Sequence, residues 1–148
     1  MIALTFDEFQ DDEKFPDDDE IELYIVKDRK KVLYIGISKD NVYNRWFSMP
    51  SSHMRFVQKY SGTLEGGVWV GQSSIGIEIQ KNFPKSLKWK IQLWSLKDCL
   101  EFLKMDYVYE DHLYLYPHKC AWYDIKTVEP KMIRHFRPKF NVIYNGGV

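Results

Sequence analysis

Two β-rich apolar runs, Ile21-Glu22-Leu23-Tyr24-Ile25-Val26 and Val32-Leu33-Tyr34-Ile35-Gly36-Ile37, flank the charged break Lys27-Asp28-Arg29-Lys30-Lys31. That pattern predicts a β-hairpin. The break holds no Gly, Asn or Pro, so the turn type stays open. Ser38-Lys39-Asp40-Asn41 then offers capping residues, and Val42, Trp46 and Met49 recur at i, i+4 and i+7. A short helix with one apolar face is expected there. Pro50, Ser51 and Ser52 end it, and a second helix is expected from His53 to Tyr60.

Gly62, Gly66, Gly67, Gly71 and Gly76 crowd the next stretch, which reads as a loop or an irregular hairpin. It is no phosphate-binding loop, because no Gly-Lys-Ser/Thr follows. Ile75, Ile77 and Ile79 alternate with polar or small residues, as do Leu87, Trp89, Ile91 and Leu93. Both stretches read as half-buried strands. Lys97 to Lys104 reads as a helix, and residues 105 to 120 have no clear period. In the last element Thr127 can cap a helix with Glu129 and Pro130 in its first turn, where proline is tolerated, and with an apolar face of Met132, Ile133 and Phe136. Pro138 stops it ahead of a short extended segment, Phe140 to Tyr144.

At 148 residues the chain fits one domain able to close its own core. The expected class is α/β, a small mixed or antiparallel sheet that starts from the hairpin and has helices packed against it. No apolar run is long enough for a bilayer and the first residues are no signal peptide, so a membrane protein is not expected. The two cysteines, Cys99 and Cys120, cannot build a disulfide framework, which points to the cytoplasm. The zero net charge hides an asymmetry: residues 1 to 20 hold nine acids and one base, whereas residues 21 to 148 hold 20 bases and 12 acids. A polyanion feels that local field and not the sum. The acidic stretch reads as a solvated, poorly ordered arm, or else as a strap that lies across the basic surface and competes with nucleic acid.

Four positions carry candidate chemistry. Tyr24 and Tyr34 lie on neighbouring strands near the helix that carries Arg45, whose place beside the apolar stripe aims its guanidinium at the sheet. Glu129, in the first turn of its helix, would be held ionised by the backbone dipole, which suits a cation such as Mg²⁺ that keeps most of its waters. The plain alternatives are an arginine that reaches solvent along its stem and an ordinary first-turn glutamate.

Together their order and spacing resemble the GIY-YIG nuclease family. Glu22-Leu23-Tyr24 stands where that family has its first tripeptide, and Tyr34-Ile35-Gly36 matches the second. Arg45 follows Gly36 by nine residues and matches the arginine of the first helix. Glu129 with Met132-Ile133, Pro138 and Asn141 resembles the glutamate helix and closing asparagine. The resemblance implies a metal-dependent endonuclease acting on DNA. Glu129 would hold one Mg²⁺ or Mn²⁺, Arg45 would bind the scissile phosphate, one tyrosine would take the proton of the attacking water, and Asn141 would position the site. Lys39 is the nearest lysine to the second tripeptide, and Asn141, Lys39 and His53 make up the expected substrate-binding set.

Three departures from the pattern stand out. Glu22 replaces glycine, and Met49 stands where the family often has His or Tyr, four residues after the arginine. Methionine cannot move a proton. His53 could substitute if the chain bends at Pro50, although its ordinary reading is a surface histidine. The 84-position separation of Arg45 and Glu129 also exceeds a minimal domain, so 50 to 86 and 105 to 120 read as insertions. Trp69 with Lys81, Lys85, Lys88 and Lys90 suits phosphate contact with base stacking, or else a core tryptophan beside an exposed lysine face. Cys99, His112, His118 and Cys120 match no usual zinc spacing and read as structural. The competing expectation is a module of the same fold that binds nucleic acid or a protein without turnover. Monomer and homodimer both remain open.

Overall fold

The computed structural model describes residues 1–9, 21–38, 42–47, 52–57, 68–105 and 125–141. In chain order these form β1 (Ile2–Thr5), α1 (Phe6–Phe9), β2 (Ile21–Asp28), β3 (Lys31–Ile37), α2 (Val42–Phe47), β4 (Met54–Val57), β5 (Val68–Gly71) and α3 (Ser74–Lys81). A 3₁₀ turn (Lys85–Lys88), β6 (Lys90–Ser95), α4 (Leu96–Phe102) and α5 (Ile125–Phe136) complete the order. The main sheet is antiparallel with the order β1-β6-β2-β3, and β4 and β5 pair separately as a two-stranded ribbon.

The hairpin is as expected. Its two-residue loop holds Arg29 at φ 55°, the positive value that mirror-image hairpin turns require at the first central position. β2 lies inside the sheet and is buried on both faces, which is why Leu23, Tyr24, Ile25 and Val26 form a continuous apolar run. Tyr24 and Val26 face one layer, with Ile91 and Leu93 of β6, under Phe6, Phe9, Val42, Trp46, Met54, Ile75 and Ile79. Leu23, Ile25 and Ile35 face the other, under Cys99 and Leu100 of α4 and Ile125, Val128, Met132 and Ile133 of α5. The sheet is thus sandwiched between α4 and α5 on one side and α1, α2, the ribbon and α3 on the other.

A bulge in the hairpin turns Leu33 to the face that Tyr34 already takes opposite Val26. Register passes from Val26 opposite Tyr34 to Lys27 opposite Val32, leaving Leu33 as the extra residue. Leu33 and Tyr34 therefore turn to the same face, the one that carries Tyr24, as the second of two neighbouring residues does at a bulge. Beyond α5 the chain runs along the free edge of β3, with Lys139 N–H donating to the Val32 carbonyl at 3.2 Å and Phe140 N–H to the Leu33 carbonyl at 2.8 Å.

Several expectations are corrected. Residues 75 to 80 are helical, because Ile75 and Ile79 are also one helical turn apart and Ser73 caps the Gly76 N–H at 3.1 Å. His53 begins no helix, since Met54–Val57 is strand β4. Leu87 lies in the 3₁₀ turn, and β6 starts only at Lys90. α5 begins at Ile125, so Pro130 sits inside the helix and Glu129 is not in its first turn. The acidic N-terminal region is no free arm over residues 2–9: β1 pairs with β6, and Phe6 and Phe9 are buried. Residues 10–20, positions 106–120 of the insertion expected at 105–120, the segment from Val142, and His112, His118 and Cys120, read as structural, lie outside the described residues. No helix among the described residues is long and apolar enough to cross a membrane.

Candidate functional site

The two tyrosines meet on the face of the hairpin. Gly36 is the register partner of Tyr24, and a Cβ there would collide with the Tyr24 ring and hydroxyl, so the second tripeptide ends in glycine to let that ring lie across it. The Tyr34 ring stacks on Tyr24 with centroids 6.3 Å apart and planes 25° apart. Tyr24 is 1% exposed, whereas Tyr34 is half-buried.

His53 is the third member, and it is no surface histidine. It is 1% exposed, its backbone N–H donates to the Arg45 carbonyl at 3.1 Å, and its own carbonyl accepts from Gln72 N–H at 2.8 Å. These bonds fasten the start of the ribbon to the end of α2. The imidazole then lies against Trp46, centroids 4.5 Å apart, with Nε2 at 2.5 Å from the Tyr24 hydroxyl and Nδ1 at 2.6 Å from Ser73 Oγ. His53 thus stands beside Tyr24, while Pro50, the place of the expected bend, lies outside the described residues.

Charge defines the rest of the site. Burial lifts Tyr24 well above its ordinary pKa, and Tyr34 and Glu129 add to that effect while Arg45 opposes it. Burial also raises Tyr34, with Arg45 and Glu129 acting in the same opposed senses. His53 is lowered to about 3, by burial first and by the Arg45 cation second. Arg45 and Glu129 thus lie within electrostatic reach of both tyrosines, although one comes from α2 and the other from α5 on the opposite layer.

Glu129 behaves differently from the sequence expectation. Being past the first turn, it is not held ionised by the helix terminus; desolvation raises its pKa. It is half-buried and makes no hydrogen bond or ion pair among the described residues. A desolvated, unpartnered carboxylate is a fit place for a cation. No group of three or more His, Cys, Asp or Glu that could hold a metal occurs among the described residues. Glu129 is the described carboxylate that could hold a metal, and Mg²⁺ accepts as few as one or two protein carboxylates.

The fold brings together Tyr24, Tyr34, Arg45, His53 and Glu129. Asn141 is placed differently from a substrate ligand: its Oδ1 accepts from Ile35 N–H and its Nδ2 donates to the Ile35 carbonyl, both at 2.8 Å. It clasps the strand between Tyr34 and Gly36, which is a positioning role. Lys39 and Met49 lie outside the described residues. Sequence reasoning missed Ser73 and Trp46 as neighbours of the site; the serine ahead of Ile75 was an available capping signal. No family model, curated protein or solved structure matches the chain.

Proposed function

We propose that this chain is a metal-dependent endonuclease that hydrolyses DNA phosphodiester bonds through a GIY-YIG-type site. One observation carries the reading: a cation and a carboxylate that has no partner among the described residues, from opposite layers, act on the same pair of stacked tyrosines. Phosphodiester hydrolysis needs those two kinds of group together, one to neutralise phosphoryl charge and one to hold a metal. Arg45 binds the scissile phosphate. Glu129 would hold one Mg²⁺ or Mn²⁺, which when bound supplies charge neutralisation and a more acidic water. Tyr34, the more exposed phenol, meets the incoming water first, while Tyr24 lies behind it against His53.

The test is cleavage of supercoiled plasmid and of a branched DNA by the wild type and by Glu129→Ala, with Mg²⁺, Mn²⁺ or EDTA. The reading expects nicking that needs metal and disappears in the variant while binding persists. A second reading, a DNA- or protein-binding module without turnover, is favoured by the burial of Tyr24 and the low pKa of His53, which leave no ready base at rest. A folded wild type that binds DNA and cuts neither substrate would select it.

A further inference from the structure

The hydrogen bonds around His53 fix more than its position. Its Nε2 faces the Tyr24 hydroxyl and its Nδ1 faces Ser73 Oγ. A neutral imidazole carries one N–H, so two arrangements are open. Either Tyr24 donates to Nε2 and Nδ1–H donates to Ser73, or Ser73 donates to Nδ1 and Nε2–H donates to Tyr24.

Burial decides between them. Tyr24 is 1% exposed and its hydroxyl has His53 as its hydrogen-bond partner among the described residues. In the second arrangement the phenolic proton would be buried without an acceptor among the described residues, which costs the desolvation of an unsatisfied donor. In the first it is satisfied. Ser73 Oγ then receives two donors, Nδ1–H at 2.6 Å and the Gly76 N–H at 3.1 Å, and fills both lone pairs while its own proton turns to solvent, since Ser73 is only half-buried. The Gly76 bond comes from the helix itself, because Ser73 is the N-cap of α3 at φ −101° and ψ 174°. That bond points the serine oxygen along one direction before the histidine meets it.

We infer that Ser73 is a positioning residue: as the N-cap of α3 it holds His53 in the Nδ1–H tautomer, so that Tyr24 gives its proton to Nε2 and keeps its oxygen lone pairs for accepting. The inference rests on the nuclease reading for its catalytic consequence only. In that reading a phenol that accepts a proton from the site releases its own to Nε2 while Nδ1–H passes to Ser73 Oγ and the serine proton leaves to solvent, so Tyr24 and His53 both end neutral. No phenolate has to form in a site whose burial opposes it. It also gives the insertion that holds β4, β5 and α3 a place in the chemistry, through a residue that touches neither phosphate nor metal.

The experiment combines long-range ¹⁵N–¹H NMR of the His53 ring, without DNA or metal, with single-turnover kinetics on wild type, Ser73→Ala and Ser73→Thr. The wild-type ring should show Nδ1 protonated and Nε2 bare. Ser73→Ala should mix the tautomers and lower kcat about 10- to 100-fold with KM little changed, as loss of an outer-shell orienting group does. Ser73→Thr, which keeps the oxygen and the cap, should restore both. If Ser73→Ala does not fold, the threonine variant and the wild-type tautomer still decide. A protonated Nε2 in the wild type overturns the inference, and so does an alanine variant that keeps one pure Nδ1–H form. Absence of cleavage by the wild type overturns the nuclease reading instead, and leaves the tautomer result standing on its own.

Discussion

His53 is buried beside Arg45, and both surroundings keep its imidazole neutral, with a pKa of about 3 against 6.5 for a free histidine. Between those two values the unfolded chain binds a proton that the folded one refuses. This group's contribution to stability is therefore intact above pH 6.5 and is lost as the pH falls through that window, with a slope of about 1.4 kcal/mol per pH unit. Other groups titrate there too, so the useful quantity is a difference. The urea midpoint of His53→Gln should fall less steeply on acidification than that of the wild type; parallel curves would contradict a neutral, buried imidazole. At neutral pH, Tyr24→Phe should lose about 1–3 kcal/mol, because it strands Nε2 in the core. Tyr34→Phe, at a half-buried phenol, should stay within about 0.5 kcal/mol. The residue types of the candidate site are legible in the sequence only through the resemblance to the GIY-YIG pattern, which singles out Tyr24, Tyr34, Arg45 and Glu129. The state of each is not. His53 passes for a surface residue because the atoms that bury and satisfy it belong to Tyr24 and Ser73, 29 and 20 residues away, and no local pattern records such contacts.

Helix α3 illustrates how an element can be misread by a pattern that fits two periods. Ile75, Ile77 and Ile79 alternate as a strand would, yet positions 75 and 79 also share a helix face, and the fold buries those two while leaving Ile77 42% exposed. The cap at Ser73 breaks the tie. Once helical, the segment must come close to the ribbon: a Cβ at Gly76 would run into the His53 carbonyl, and one at Gly71 would run into the Gly76 backbone. That contact reverses a familiar sign. Glycine to alanine inside an exposed helix stabilises by about 1 kcal/mol, whereas Gly76→Ala should destabilise by about 1–3 kcal/mol, because backbone, not a flexible side chain, stands in the way. Thermal or urea unfolding of the variant reads this directly, and an increase in stability would mean that α3 sits farther from His53. The N-terminal strand and α5 are legible only in part for a similar reason. β1 exists because β6 offers it an edge, and α5 takes in Ile125 and Val128 because the second face of the sheet needs covering; neither cause is local.

Across the whole molecule the charge is divided: residues 1 to 20 are strongly acidic and the remainder is basic by eight. Part of the basic excess forms a strip. Lys81, Lys85, Lys88 and Lys90 are exposed along the end of α3, the 3₁₀ turn and the start of β6, in the layer that also carries Ser73. They are not equivalent, since Lys81 has Glu78 at 3.8 Å and is partly neutralised. Phe83, 64% exposed, stands among them and offers a flat apolar surface of the kind a base can stack on. Under the nuclease reading this strip holds DNA by its phosphates, and lysines there carry little sequence information. Each lysine that neutralises a phosphate releases about 0.9 of a counterion on duplex DNA, so the double variant Lys85→Ala/Lys88→Ala should lower the slope of log affinity against log salt by about two. The loss should be uniform across DNA sequences. Under that same reading Glu129→Ala should leave the slope unchanged, because there its part would be in cutting and not in holding. Fluorescence anisotropy of labelled duplexes over a salt series measures both. A double variant with the wild-type slope would move the DNA path off this strip, whatever the cleavage assay reports.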